Sequence, residues 1–380
     1  MIQRSIHDAW WRLATLSRPQ SFSDIVACQT LWAGSLVYRA AVQLRNLAYD
    51  RGWASQARLP CRVVSVGNLT VGGTGKTACT ELIAKKLITL GRRVAILSRG
   101  YGGTQRDYWL QGEQGKVAVS GTGPMGDDGL ADEPQLLAMH LDGVPIGVGA
   151  RRDRTGQTAC AQFAADTLVL DDGFQHRRLQ RDCDIVLVHA RMPLGGWALL
   201  PRGPMREPLA SLTRADIVMM TKADEAFELL GALQERLRTL NPKATLVSAI
   251  HEPSQLLDGL TGSVHDPARL NGLRVGLLSS IGDPAGFDAT VARLHATVLW
   301  HRTFPDHYCY RAADWASVLT DSQGIRPDAI VTTEKDWVRL RPLIMERSLE
   351  KVPLWVLGIR MKLLDGEDAL DDRLAGLYVR

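Results

Sequence analysis

Three groups of side chains have types and spacings suited to handling a charged group. The first is Lys76-Thr77, directly behind Gly72, Gly73 and Gly75 in V-G-N-L-T-V-G-G-T-G-K-T. Glycines let a backbone turn without Cβ clashes, so successive N–H groups can point at one anion. A lysine behind such a turn reaches the β- and γ-phosphates of a nucleotide, and the neighbouring hydroxyl ligates Mg²⁺. The cradle is read as Thr70, Val71, Gly72, Gly73, Thr74, Gly75, Lys76 and Thr77. The strict pattern wants glycine where Thr70 stands, and Gly72 and Gly73 supply that freedom instead. The second group is Asp171-Asp172 in D-D-G-F-Q-H. Carboxylates leaving a sheet edge beside a phosphate loop hold Mg²⁺ or its water, although a plain acidic turn reads the same. The third group is scattered: Asp132 in A-D-E-P, and Asp306 and His307 in F-P-D-H-Y. Asp132 also suits an N-cap, since Pro134 fits a first helical turn, and a loop histidine often has no chemical role.

These residues need a sheet edge to position them. Val63–Val66 reads as a buried parallel strand, and Ala78–Leu90 as a helix stopped by Gly91. Further strands are expected at Val94–Ser98, Val144–Val148, Thr167–Leu170, Ile185–Val188 and Ile217–Met220. R-G-Y-G-G, from Arg99, sits where open α/β sheets bind ligands, though a tight turn with a surface arginine fits it as well. Arg151, Arg152 and Arg154 are either directed at phosphate or the solvated start of a helix. In the proline-stiffened 191–208 loop, Arg202, Arg206 and Glu207 are candidate phosphate and metal contacts. His176 reads as a turn histidine, and 121–129 as a glycine-rich mobile loop.

The fold class is α/β, a mostly parallel sheet of P-loop NTPase type flanked by helices. The pattern resets after about residue 225. The expected division is an N-terminal membrane-associating segment at 1–60, a nucleotide-binding core at 61–250, and a smaller C-terminal α/β lobe at 251–380 that closes over the active site. The 380 residues suffice for two ordinary domains. Six scattered cysteines form no C-x-x-C pair, which argues against zinc and a disulfide framework. Residues 1–60 hold seven arginines and three acids, so the whole net charge of +4 sits there. No basic face for nucleic acid is evident.

The N-terminus lacks the order of a signal peptide. An uncharged run from Ile25 to Tyr38 is short and polar for a bilayer crossing. Trp10, Trp11, Trp32 and Tyr38 stand among arginines, as in a helix lying on an anionic membrane. A helix packed on the domain with Trp32 in the core is the other reading, and a single tilted crossing a third.

V-G-N-L-T-V-G-G-T-G-K-T, L-S-R-G-Y-G-G, D-E-P, D-D-G-F-Q-H, G-P-M-R-E and T-E-K-D together resemble one family, tetraacyldisaccharide 4′-kinase, over roughly residues 10–340. The resemblance implies transfer of the γ-phosphoryl of ATP to the 4′-hydroxyl of a tetraacylated disaccharide 1-phosphate, giving lipid IV-A in lipid A biosynthesis. It implies a monotopic enzyme, expected as a monomer, on the cytoplasmic face of the inner membrane. By the same resemblance Asp132 is the acid–base residue, paired with His307. Lys76, Thr77, Asp171, Asp172 and Glu207 meet phosphate and Mg²⁺, with Lys76 also catalytic. Ser98, Arg99 and Tyr101 meet the acceptor, and Arg151 is expected beside them as a further substrate contact. T-K-A-D at 221–224 leaves a P-loop GTPase of metallochaperone type as a rival, with Thr221 where the guanine-reading motif wants asparagine.

Overall fold

The computed structural model describes residues 10, 21–100, 103, 107–113, 116–121, 129–191, 198–345 and 352–379. Tyr101, Trp11 and most of the expected 121–129 loop lie outside them. By contacts the chain groups into two units: one runs to Ser98 and adds Arg151–Ile250 and the segment from Leu363; the other comprises Arg99–Ala150 and His251–Lys362. These bounds differ from a simple cut at residue 250. The stretch 99–150 is an excursion from the first unit, and the C-terminal segment returns to it. Lys86 holds Glu367 at 2.7 Å and Asp371 at 2.8 Å, and Tyr378 meets the Thr167 hydroxyl at 2.7 Å.

In the first unit, parallel strands lie in the order Ile217–Thr221, Cys183–His189, Arg62–Asn68, Thr167–Leu170, Val94–Ser98. Their runs of Val, Ile, Leu and Met are nearly continuous because both faces are covered. The chain runs from the central strand, Arg62–Asn68, to one side and later to the other. The crevice beyond its C-terminal end is therefore a topological switch point, where such sheets bind ligands. Two close approaches fix the two motifs there. A Cβ on Gly67 would lie 2.6 Å from that of Phe174, and one on Gly173 would lie 2.5 Å from that of Leu170. Only glycine lets the D-D-G-F turn press against the strand that feeds the loop.

The N-terminal helix, Phe22–Asp50, is capped by Ser21, whose hydroxyl accepts from the Asp24 amide. Asp24, Cys28, Ser35, Tyr38 and Val42 fall on its protein side. The Ser35 hydroxyl donates to the Leu199 carbonyl at 2.7 Å, and the Tyr38 hydroxyl to that of Arg206 at 3.0 Å. Phe22, Ile25, Val26, Trp32, Leu36, Val37, Leu44 and Leu47 are exposed, and steps of three and four place them on the opposite side. Trp32 is 57% exposed, so the reading that buried it is corrected: the helix packs through its small and polar stripe.

In the second unit, Thr297–Thr303, Arg274–Ser279, Ala329–Thr333 and Leu354–Asp365 form a parallel run. Lys116–Gly121, Tyr108–Glu113 and Pro145–Val148 form an antiparallel set. The helix Asp132–His140 packs on Glu334–Met345. Glu133–Lys335 at 2.9 Å and His140–Glu334 at 3.0 Å tie the two helices together.

Candidate active site

The glycine loop of the first unit is held from beneath by side chains. Asn68, wholly buried at the strand end, donates through its amide to the Thr74 hydroxyl at 2.7 Å. The Val71 amide donates to the Pro204 carbonyl at 2.8 Å, so the 198–207 loop braces the turn. Gly75, at φ 83°, precedes the helix Lys76–Thr89, and Gly72 has φ 109°. A Cβ on Gly72 or Gly73 would meet no atom within 4 Å. The loop thus borders open space at a helix N-terminus, where backbone amides and the helix dipole favour an anion. A nucleotide's phosphates carry the charge such a helix start favours.

The carboxylates arrive beside it. Lys76 Nζ stands 4.0 Å from Asp172 Oδ1. Arg206 grips Asp172 with two bonds, of 2.9 and 2.7 Å, and also donates to the Asn68 side-chain oxygen. Asp172 has φ 50°, and its carbonyl accepts from Arg152 at 3.0 Å. Burial would push the Asp172 carboxyl up, but the Arg206 bonds, with Lys76 and Arg152 nearby, outweigh burial and hold it at about 2. Asp171 is buried and accepts from the Thr80 hydroxyl at 3.1 Å, with the Ser98 hydroxyl 3.5 Å away.

The Asp172 carboxylate makes the stability of the fold depend on pH. Because the folded value is depressed, its stabilisation is present above the ordinary value of 3.8 and is lost as pH falls through about 2. Arg206→Met should lower Tm at pH 6, and its deficit against wild type should close as pH falls from 4 towards 2. Thermal melts across pH would read this, and a deficit constant over that range would contradict it.

Other expected contacts sort differently. Arg151 is held bidentately by Asp153 at 3.0 and 2.9 Å, at the start of the helix Arg152–Gln162. Arg99 is exposed. Glu207, expected among the metal ligands, is wholly buried. Its oxygens accept from Arg45 at 3.2 Å, Asn46 at 2.9 Å and Arg214 at 2.7 Å. Burial opposes its charge, and Arg214, Asn46 and Arg45 keep the carboxyl below its usual range. These bonds tie it to the N-terminal helix and to Arg214. His176 is half-buried and pushed down to about 4 by burial and Arg152, which keeps it neutral at neutral pH. Among the described residues no three His, Cys, Asp or Glu side chains form a ready metal cage. Mg²⁺ at a phosphate loop needs fewer, since phosphates and water complete its shell. The all-oxygen set of Thr77, Asp171 and Asp172 suits that hard cation.

The second unit brings Asp132 and His307 together. Asp132 opens its helix, but Ala131 holds the N-cap position without a side-chain bond. The Asp132 carboxylate is therefore spent elsewhere: Oδ2 lies 3.0 Å from His307 Nδ1, and Oδ1 accepts from Arg339 Nε at 2.7 Å. His307 has φ 59°, a constrained backbone for a histidine. Asp306 is a weaker neighbour, 3.8 Å from Nε2. Asn68 and Arg339 escaped the sequence reading. Each lies inside or just beyond a motif, V-G-N and T-E-K-D-W-V-R, and that position was the available signal.

The sequence profile of a family described as tetraacyldisaccharide-1-P 4′-kinase (LpxK) matches residues 27–378. The chain belongs to this family. A tetraacyldisaccharide 4′-kinase of Anaeromyxobacter dehalogenans (strain 2CP-C) is 42% identical over 96% of this chain and 93% of its own length. One from Syntrophus aciditrophicus is 40% identical over 86% and 87%. The crystal structure of LpxK from Aquifex aeolicus in complex with ATP covers 93% of this chain and all of its own, at TM-score 0.71 and 29% identity. The kinase family membership accords with the α/β fold and with the loop described above.

Proposed function

We propose the following division of labour for this family member, which is an ATP-dependent tetraacyldisaccharide 4′-kinase acting in lipid A biosynthesis. Amides of residues 72–77 and Lys76 bind the nucleotide's phosphates. Thr77, Asp171 and Asp172 would hold Mg²⁺, which offsets phosphate charge when bound. Phosphoryl transfer spreads charge over equatorial oxygens, so orientation and fixed positive groups do most of the work. Asp132 accepts the proton of the acceptor's 4′-hydroxyl, and His307 orients its carboxylate. Ser98, Arg99, Tyr101 and Arg151 are proposed to meet the acceptor, with Arg151 first released from Asp153. The observation that most supports the nucleotide role is the approach of Lys76 to Asp172 beneath an open glycine loop. Purified protein with ATP, Mg²⁺ and tetraacyldisaccharide 1-phosphate should give a product phosphorylated at the 4′ position by mass spectrometry. Phosphate at another hydroxyl, or a preference for GTP, would overturn this reading.

The exposed apolar side of the N-terminal helix is proposed to rest on the cytoplasmic leaflet of the inner membrane. Phe22–Asp50 is long and apolar enough to cross a bilayer by composition, but its other side is bonded to the protein. A helix lying in the interface satisfies both faces. Val37→Glu with Leu44→Glu should abolish flotation with anionic vesicles and leave Tm within a few degrees. Flotation equal to wild type would contradict the proposal.

A further inference from the structure

The T-E-K-D segment carries no role in the division of labour above, yet its helix reaches the proposed proton acceptor. We infer that Arg339 is a positioning residue for Asp132 and His307, itself aimed by a buried network centred on Asp336. This rests on the assignment of Asp132 as the base.

Arg339 is almost buried, with 9% of its side chain exposed. Its Nε donates to Asp132 Oδ1 at 2.7 Å, and its Nη2 meets Asp132 Oδ2. The same Nη2 stands 3.2 Å from His307 Nδ1. The third nitrogen, Nη1, donates to the Ser280 hydroxyl at 2.9 Å and the Tyr308 carbonyl at 3.1 Å. One planar fork thus fixes the plane of the carboxylate and the place of the imidazole. A side-on guanidinium–carboxylate pair gives geometry as well as charge, which a lysine does not reproduce.

Asp336 explains why the fork points this way. It is wholly buried and takes bonds from the Ser280 amide at 2.9 Å, the Tyr310 hydroxyl at 2.9 Å, the Thr333 hydroxyl at 2.7 Å and the Ser280 hydroxyl. With its hydroxyl hydrogen committed to Asp336, Ser280 can only accept from Arg339. The network is directional: Arg339 to Ser280, Ser280 to Asp336. Asp132 is faced by His307 and Arg339. Around them lie the Glu133–Lys335 pair, Asp306 beside His307, and Asp336 behind Ser280. Arg339 is a permanent cation bonded directly to the Asp132 carboxylate, so its removal should raise the carboxylate's proton affinity.

The test is steady-state kinetics of the full chain carrying Arg339→Met, with ATP affinity measured separately. Expected are a fall in kcat of tenfold or more, an ATP Kd within twofold of wild type, and an acid limb of the kcat–pH profile moved up by about one unit or more. Added guanidinium should recover part of the lost kcat in Arg339→Ala. Arg339→Lys keeps the charge without the fork; it should show the loss in kcat with a smaller move of the limb, and it serves if the larger changes do not fold. Wild-type kcat and pH profile, or a loss of kcat with no move of the limb and no rescue, would overturn the inference. If instead Asp132→Asn keeps near-wild-type turnover, it is the base assignment that fails.

Discussion

Asp132→Asn is expected to lower kcat by roughly 10²–10⁴-fold, the usual worth of a positioned proton acceptor. The substitution keeps the volume and one acceptor oxygen but removes the charge that takes the proton. It also leaves Arg339 facing a neutral amide, so a buried cation loses its partner. Asp132 is not among the residues proposed to bind the phosphates, so ATP affinity should stay near wild type. Steady-state turnover beside equilibrium ATP binding separates the two effects. Weakened ATP binding with normal turnover would contradict the assignment. His307→Ala should cost less than Asp132→Asn, because the histidine orients the carboxylate and does not replace it.

Lys76→Ala should cut kcat/KM by about 10²–10³-fold, the scale seen when one fixed donor to a developing charge is removed. Lys76 stands 4.0 Å from Asp172, which Arg206 already grips. Removing the lysine therefore leaves the carboxylate paired, and folding should survive. Unfolding is thus a poor explanation for lost activity, and a melt within a few degrees of wild type would document that. Activity within twofold of wild type would remove the loop from the chemistry.

Much of the first unit was legible because its signals are local. The strand at 62–68, its glycines, Lys76 and the start of the next helix are contiguous, and each part agrees with the others. Asp171-Asp172 could be set beside them because an apolar strand ending in acids suits a phosphate loop upstream, though a plain acidic turn fits the local residues as well. The bonds of Glu207 could not be read this way. Its partners Arg45 and Asn46 sit on a helix more than 150 residues earlier in the chain, and no spacing rule links them. Asp132 carried two local readings, cap or chemistry. Ala131 occupies the cap position, and the carboxylate's partner Arg339 lies 207 positions on, where no local pattern points. Nor does periodicity reveal that 99–150 groups with 251–362, since strand and helix patterns look alike in either unit. The N-terminal helix was ambiguous for a related reason: composition shows an apolar helix, while only the packed fold shows which side is used. The small stripe of Ser35 and Cys28 faces the protein, and the Trp32 side is left over.

The most direct measurement is a crystal structure of the full chain with Mg²⁺ and a non-hydrolysable ATP analogue. The β- and γ-phosphate oxygens should lie within hydrogen-bonding distance of amides at residues 72–77 and of Lys76 Nζ, with the metal bound through Thr77 and an oxygen of Asp171 or Asp172. An analogue seated elsewhere, with the 70–77 turn empty, would contradict it.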